Sequence, residues 1–251
     1  MQYGERNLEK GDRGTDVAEL QMRLAGFRGT LPDGIFGPGT ELQVVCFQRD
    51  WMGRARPSGR VDAACFQAID AFAEAHPLDF TALQCRCGVC DGFGRGRFKG
   101  LYRRDRLKIE AYCRYEYPGI HRMLLWAYRA AVFYGRRAGL EFTVTSGYRC
   151  SESNRQKNRQ STNHHGKAID FKILGIEDER DEMIVCDRVR GQLVELGNAQ
   201  VGWSAGNRKA LEPATIAPTW VHYDVRCYDR KYLADGHFVR DPESLDRPAA
   251  L

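Results

Sequence analysis

No stretch of this chain approaches the run of about 20 apolar residues that a membrane-crossing helix needs, so insertion into a bilayer is not expected. The first residues, MQYGERNLEKGDRG, lack the apolar core of a secretory leader. The expectation is a protein made in the cytoplasm that reaches any outside substrate by another route. Long basic runs are lacking too. The 38 Lys and Arg outnumber the 33 Asp and Glu, for a net charge of +5, but they are spread out, with Arg-Arg pairs at 103–104 and 136–137 and no long basic run. That balance suits an anionic polymer and gives no nucleic-acid stripe, so no nucleic-acid partner is expected. The 9 cysteines are odd in number and mostly dispersed, which argues against a disulfide framework and for a reducing place of synthesis. The glycine-rich run 91–97 follows no strand pattern and opens no helix, which excludes a phosphate-cradling loop.

What is present divides into three stretches. The 251 residues suffice for one large or two modest domains, and 43% hydrophobic content for a core. Within 1–74, Asp16 is placed to cap a helix in which Val17, Leu20, Leu24 and Phe27 recur at helical spacing. Asp33-Gly-Ile-Phe-Gly37 makes a tight turn, Thr40 caps a second helix, and a third is expected from Ala63 to Phe72. The connecting segment 75–114 holds Cys85, Cys87 and Cys90, close enough to share one structural metal with Cys113 as fourth ligand; a disulfide or free thiols are the alternatives. From 115 to 251, a long helix is expected to begin at Glu116-Tyr-Pro118 and end at Gly139, with His121 as a surface or capping group, and a second helix to span 181–196. β-prone runs at 142–145, 168–173 and 219–226 complete an α+β domain with a small antiparallel sheet.

The chemistry gathers in the stretch from Ser146 to Ile173 and in one later strand. The first holds Arg149, the adjacent His164 and His165, and Asp170; the second holds His222. Strand alternation puts Ala168 and Asp170 on one face and Ile169, Phe171 and Ile173 on the other. A carboxylate flanked by Ile169 and Phe171 is costly to bury unless a cation offsets its desolvation. Two imidazoles and one carboxylate from separate segments can hold a zinc ion and leave a position to water.

Two resemblances follow from these residues. Gly11-Asp12, Gly14, Val17, Leu20-Gln21, Leu24, Gly26, Asp33-Gly34, Phe36-Gly37, Thr40, Phe47-Gln48 and Gly59-x-Val61-Asp62 resemble the peptidoglycan-binding domain of wall hydrolases. Ser146-Gly-Tyr-Arg149, then Ser161, Gly166, Ala168 and Asp170, then Trp220-Val-His222-Tyr-Asp-Val-Arg226, resemble the zinc D-Ala-D-Ala carboxypeptidase and L-Ala-D-Glu endopeptidase superfamily, over roughly residues 115–230. The second resemblance implies zinc on His164, Asp170 and His222, with Arg149 on a substrate carbonyl or carboxylate. It also places Ser146, Tyr148, Ser161 and Asn163 at the substrate. One position departs from the family pattern: Asn163 stands where the usual histidine would, three residues before the glycine. Either the site is inactive or the turn is one residue shorter and His164 is the ligand, with His165 as the fallback; the shorter turn is preferred. The general base is open between Glu212, which is favoured, and Asp224. Together the resemblances imply a monomeric, modular peptidoglycan hydrolase of the phage endolysin kind, held in the host cytoplasm until lysis. L-Ala-D-Glu is the first choice of bond and the D-Ala-diaminopimelate cross-link the second. The competing class is a wall-binding protein whose peptidase-like domain has lost its metal.

Overall fold

A computed structural model of the chain describes residues 2–94, 115–159, 163–197, 200–201, 210–225 and 229–247. The fold is α+β. Helices α1 (Thr15–Arg23), α2 (Pro38–Asp50) and α3 (Ala63–Ala75) form an N-terminal bundle, followed by the short α4 (Phe80–Leu83). Strand β1 (Ile120–His121) runs into α5 (Arg122–Arg137), then β2 (Glu141–Ser146), α6 (Ser151–Gln156), β3 (Ala168–Leu174) and α7 (Glu179–Leu196). Strands β4 (Gln200–Val201), β5 (Ala210–Leu211), β6 (Val221–Asp224) and β7 (Phe238–Val239), with α8 (Pro242–Asp246), complete the order. The main sheet has the order β2-β3-β6-β5-β4. It is antiparallel except at the β4–β5 edge, and β1 pairs with β7 in a separate ribbon.

Several helix starts differ from expectation because a side chain found a better partner. Gly14 caps α1, while the buried Asp16 accepts a hydrogen bond from Arg6 Nε at 2.8 Å and one from the Val17 amide. Thr40 lies inside α2, where its hydroxyl accepts from Gln21 Nε2 at 2.9 Å. Asp62 does cap α3, accepting from the Cys65 amide at 2.8 Å. The long helix begins at Arg122 instead of Glu116, because Glu116 accepts from the Ser151 amide and Ile120–His121 is pinned as a strand against β7.

Helix α5 is buried on nearly every side because it lies between the bundle and the sheet. Phe27 of the bundle packs edge-on against Phe47 and Phe72 at 5.1 and 5.3 Å, and meets Phe133 of α5 at 6.1 Å. On the opposite side Tyr128 meets Phe171 of β3 at 5.0 Å. One apolar core therefore runs through the bundle, the 80–93 segment and the sheet. A charged cluster is sealed in the same seam. Glu19 of α1 accepts from Arg23 Nε at 2.8 Å and from both terminal nitrogens of Arg122 at 2.6 and 2.7 Å. Arg122 also donates to the carbonyls of Leu245 and Arg247, which fastens α8 to the seam. A bidentate carboxylate–guanidinium pair with further bonds to backbone carbonyls is a form in which buried charge is tolerated, although Arg122 Nε has no hydrogen-bond partner.

His121 is fully buried and not a surface group. Its Nδ1 accepts the Met123 amide at 3.2 Å, capping α5, and its Nε2 donates to the Tyr232 carbonyl at 2.8 Å. Both nitrogens are thus committed in the neutral ring. Burial, with His237 and Arg122 nearby, pushes the pKa down to about 3 against the opposing Tyr232 carbonyl. The unfolded chain takes up this proton first. The contribution to stability is therefore complete above about pH 6.5 and is lost as pH falls toward 3, by about 1.4 kcal/mol per pH unit. Urea melts between about pH 7.5 and 4.5 should show that loss, and His121→Asn, which keeps a capping oxygen, should flatten the slope by the share of one histidine. An unchanged slope in the variant would remove His121 from the account.

Candidate functional site

Strand register creates the centre of the site. β3 lies between β2 and β6, and Asp170 sits directly opposite Ser146 on one side and His222 on the other. Directly opposed residues share a face, so these three side chains rise from the same side of the sheet. The alternate residues Ile169, Phe171 and Ile173 are buried in the core beneath. Asp224, two residues after His222, returns to the site face and is completely buried.

The loop between β2 and β3 brings the second imidazole. Gly147 lets the chain pass the end of α4: a Cβ there would fall 2.3 Å from the Leu83 carbonyl oxygen, and that carbonyl accepts the Tyr148 amide at 2.7 Å. Gly166, at φ +105°, closes the later turn against the Gly119 carbonyl, where a Cβ would also fall at 2.3 Å. The His164 carbonyl accepts the Arg149 amide at 2.8 Å, which ties the two arms of the loop together.

In this frame His164 Nδ1 donates to the Gly147 carbonyl at 2.7 Å. That bond fixes the tautomer and leaves the Nε2 lone pair free to face Asp170. Nε2 lies 3.3 Å from Asp170 Oδ2, is buried, and makes no hydrogen bond of good geometry. His222 Nδ1 lies 2.6 Å from Asp170 Oδ1, and its Nε2 lies 2.8 Å from Asp224 Oδ2 and 3.8 Å from Glu212 Oε1. One ligand atom from each of His164, Asp170 and His222 falls within 4.8 Å of the others. An orphaned imidazole nitrogen, a second imidazole oriented by a buried carboxylate, and an aspartate shared between them are a donor set that suits a divalent cation.

The charges answer each other. Burial would raise the Asp170 pKa, but His164 and His222 hold it far below the usual carboxylate range. Burial also opposes charge on His222, yet hydrogen bonds to Asp170 and Asp224 outweigh it and lift the ring to about 9. Burial pushes His164 down, only partly countered by Asp170. For Arg149 too, burial lowers the pKa, and Asp170 and Glu212 oppose it.

These groups open into a cleft of about 540 Å3 that also exposes Ser146, Trp220 and Glu212. Arg86, Lys157, Arg159 and Lys172 give the cleft a basic lining. Arg149 lines it and its Nε has no hydrogen-bond partner. Tyr148 reaches the cleft only by an edge, since its hydroxyl donates to the Tyr117 carbonyl at 2.8 Å and the side chain is buried. Asn163 does not line the cleft; it is buried in the turn, where its carbonyl accepts the Lys167 amide. His165 turns away, with Nε2 3.4 Å from Asn154 Nδ2. Ser161 lies outside the described residues.

A second group among the described residues is Cys85, Cys87, Cys90 and Cys150. The partner that completes it is Cys150, whereas the expected Cys113 lies outside the described residues. The available signal was adjacency: Cys150 directly follows Arg149, the one arginine of the Ser146–Arg149 turn.

Residues 13–69 match the family model of the putative peptidoglycan binding domain. The match covers α1, α2 and the first half of α3, and associates the protein with the bacterial cell wall. Among the described residues no helix is long and apolar enough to cross a membrane.

Proposed function

We propose that the protein is a zinc peptidase of the cell wall, a peptidoglycan hydrolase of the endolysin kind. The observation that carries the reading is the convergence of His164, Asp170 and His222, with an orphaned His164 Nε2, in a cleft beside Arg149 and Glu212. The matched wall-binding bundle packed on the same core supplies the substrate class.

Zinc held by these three residues would supply a Lewis acid for the scissile carbonyl and for the attacking water. Arg149 offers two parallel donors to a stem-peptide carboxylate or to the oxygen that gains charge. Glu212, at the cleft wall, takes the proton from the attacking water and returns it to the leaving amine. Asp224 does not reach solvent; it holds His222 by Nε2 so that Nδ1 faces Asp170. The basic lining suits a stem peptide rich in carboxylates. L-Ala-D-Glu is the preferred bond and the D-Ala-diaminopimelate cross-link the second. The protein acts on the wall after release from the host cytoplasm at lysis.

The test is digestion of isolated Gram-negative sacculi by the purified full chain, with turbidity and product masses followed with and without a chelator. Turbidity loss that chelator stops and zinc restores, with new amino termini on glutamate or diaminopimelate, is the expected result. Sacculus binding with no new termini would leave only a wall-binding protein.

A further inference from the structure

We propose that Cys85, Cys87, Cys90 and Cys150 bind a structural zinc ion that fastens the segment after α4 to the turn carrying Arg149. The metal site stands on its own geometry; its consequence for Arg149 and the count of a second zinc in the cleft rest on the peptidase reading above.

The four sulfur atoms lie within 4.8 Å of one another. Cys150 is 3.5 Å from Cys87 and 3.7 Å from Cys85, and Cys87 is 3.5 Å from Cys90. A tetrahedral zinc with Zn–S bonds of about 2.3 Å has sulfur–sulfur edges of about 3.8 Å. All four are free thiols, so no disulfide explains the gathering. Cys85, Cys87 and Cys150 are buried and Cys90 is half-buried. A closed set of four sulfurs leaves no position for water, which distinguishes a structural site from the His164–Asp170–His222 set.

The backbone is arranged for thiolates. The amides of Val89 and Cys90 both donate to Cys87 Sγ at 3.3 Å. The Cys150 amide donates to Cys85 Sγ at 3.4 Å, and the Ser153 amide to Cys150 Sγ at 3.4 Å. Amides aimed at sulfur stabilise its charged form, and metal ligands are characteristically held by such contacts. Gly88, at φ +71°, lets the Cys87–Cys90 turn wrap around one point. Thiolate sulfur favours zinc over the hard cations, magnesium and calcium.

The placement gives the ion a task. The segment folds back on itself through the Cys85 amide and the Gly92 carbonyl at 2.7 Å. Across the cluster, Cys150 both follows Arg149 and caps α6. A metal joining these strips fixes the ends of the turn from which Arg149 enters the cleft.

The experiment uses the full chain, purified without chelator, and counts zinc by mass spectrometry. The wild type should hold about two zinc ions per chain and His222→Ala about one. Cobalt exchanged into His222→Ala should show sulfur-to-cobalt charge-transfer absorption in the near ultraviolet, and an organomercurial should release the remaining metal. Cys87→Ser should lose that absorption, whereas Cys90→His, which keeps four ligands, should retain one metal at this site. If Cys87→Ser fails to fold, the cobalt spectrum of His222→Ala decides alone. A His222→Ala protein without metal, or with cobalt but no sulfur absorption, or with iron as its resident metal, overturns the proposal. Sulfur-bound cobalt in a protein that cuts no sacculi would leave this site standing and remove the peptidase reading.

Discussion

Glutamine at position 212 is expected to slow stem-peptide cleavage by about 10²–10⁴-fold, the range for losing a positioned general base. Zinc content and sacculus binding should stay as they are. Two carboxylates lie near His222 Nε2, and burial separates their roles. Asp224 is completely buried and 2.8 Å from that nitrogen, so it has no access to a substrate. Glu212 stands 3.8 Å away, just beyond the end of β5, with its side chain on the cleft wall. Asp224→Asn should therefore act through the imidazole, weakening zinc binding or activity by about 10–100-fold. Single-turnover cleavage of purified muropeptides, read by mass, with zinc measured in each variant, separates the two. Glu212→Gln at wild-type rate beside an Asp224→Asn variant that keeps its zinc and is inert would exchange the assignments.

The parts of the site that were legible in the sequence are those set by local period and short spacing. Alternation along 168–173 put Asp170 on one face and Ile169, Phe171 and Ile173 on the other, and the β3–β6 register agrees. The turn glycines and apolar spacing marked three helices, and the family match covers 13–69. What was not legible depends on long-range packing. Cys150 joins cysteines sixty or more positions earlier because Leu83 docks on the Gly147–Tyr148 backbone. No periodicity records that contact. The late start of α5 likewise follows from Glu116 bonding Ser151 and from β7 pairing with Ile120, both distant partners. The seam of Glu19, Arg23 and Arg122 reads in sequence as ordinary surface charge, and only the approach of α1 to α5 buries it.

His164→Ala is expected to remove the cleft zinc and to lower cleavage by at least about a thousandfold, as loss of a group on which the metal and the reaction both depend. His165→Asn should leave metal content and rate close to wild type. The two histidines are adjacent, yet their surroundings differ in kind. The Gly147 carbonyl accepts a hydrogen bond from His164 Nδ1, which turns the bare Nε2 toward Asp170. His165 faces Asn154, its own carbonyl is taken by the Tyr117 amide, and burial pushes its pKa down to about 3. The Asn163 carbonyl is spent on the turn that presents His164, where it accepts the Lys167 amide. That turn thus delivers the His164 imidazole to Asp170. Zinc analysis and muropeptide cleavage on both variants test this directly. If the His165 variant loses the metal while the His164 variant keeps it, the ligand assignment moves by one residue. If neither variant alters zinc or rate, the cleft does not hold the metal, and the protein's association with the wall rests on residues 13–69 alone.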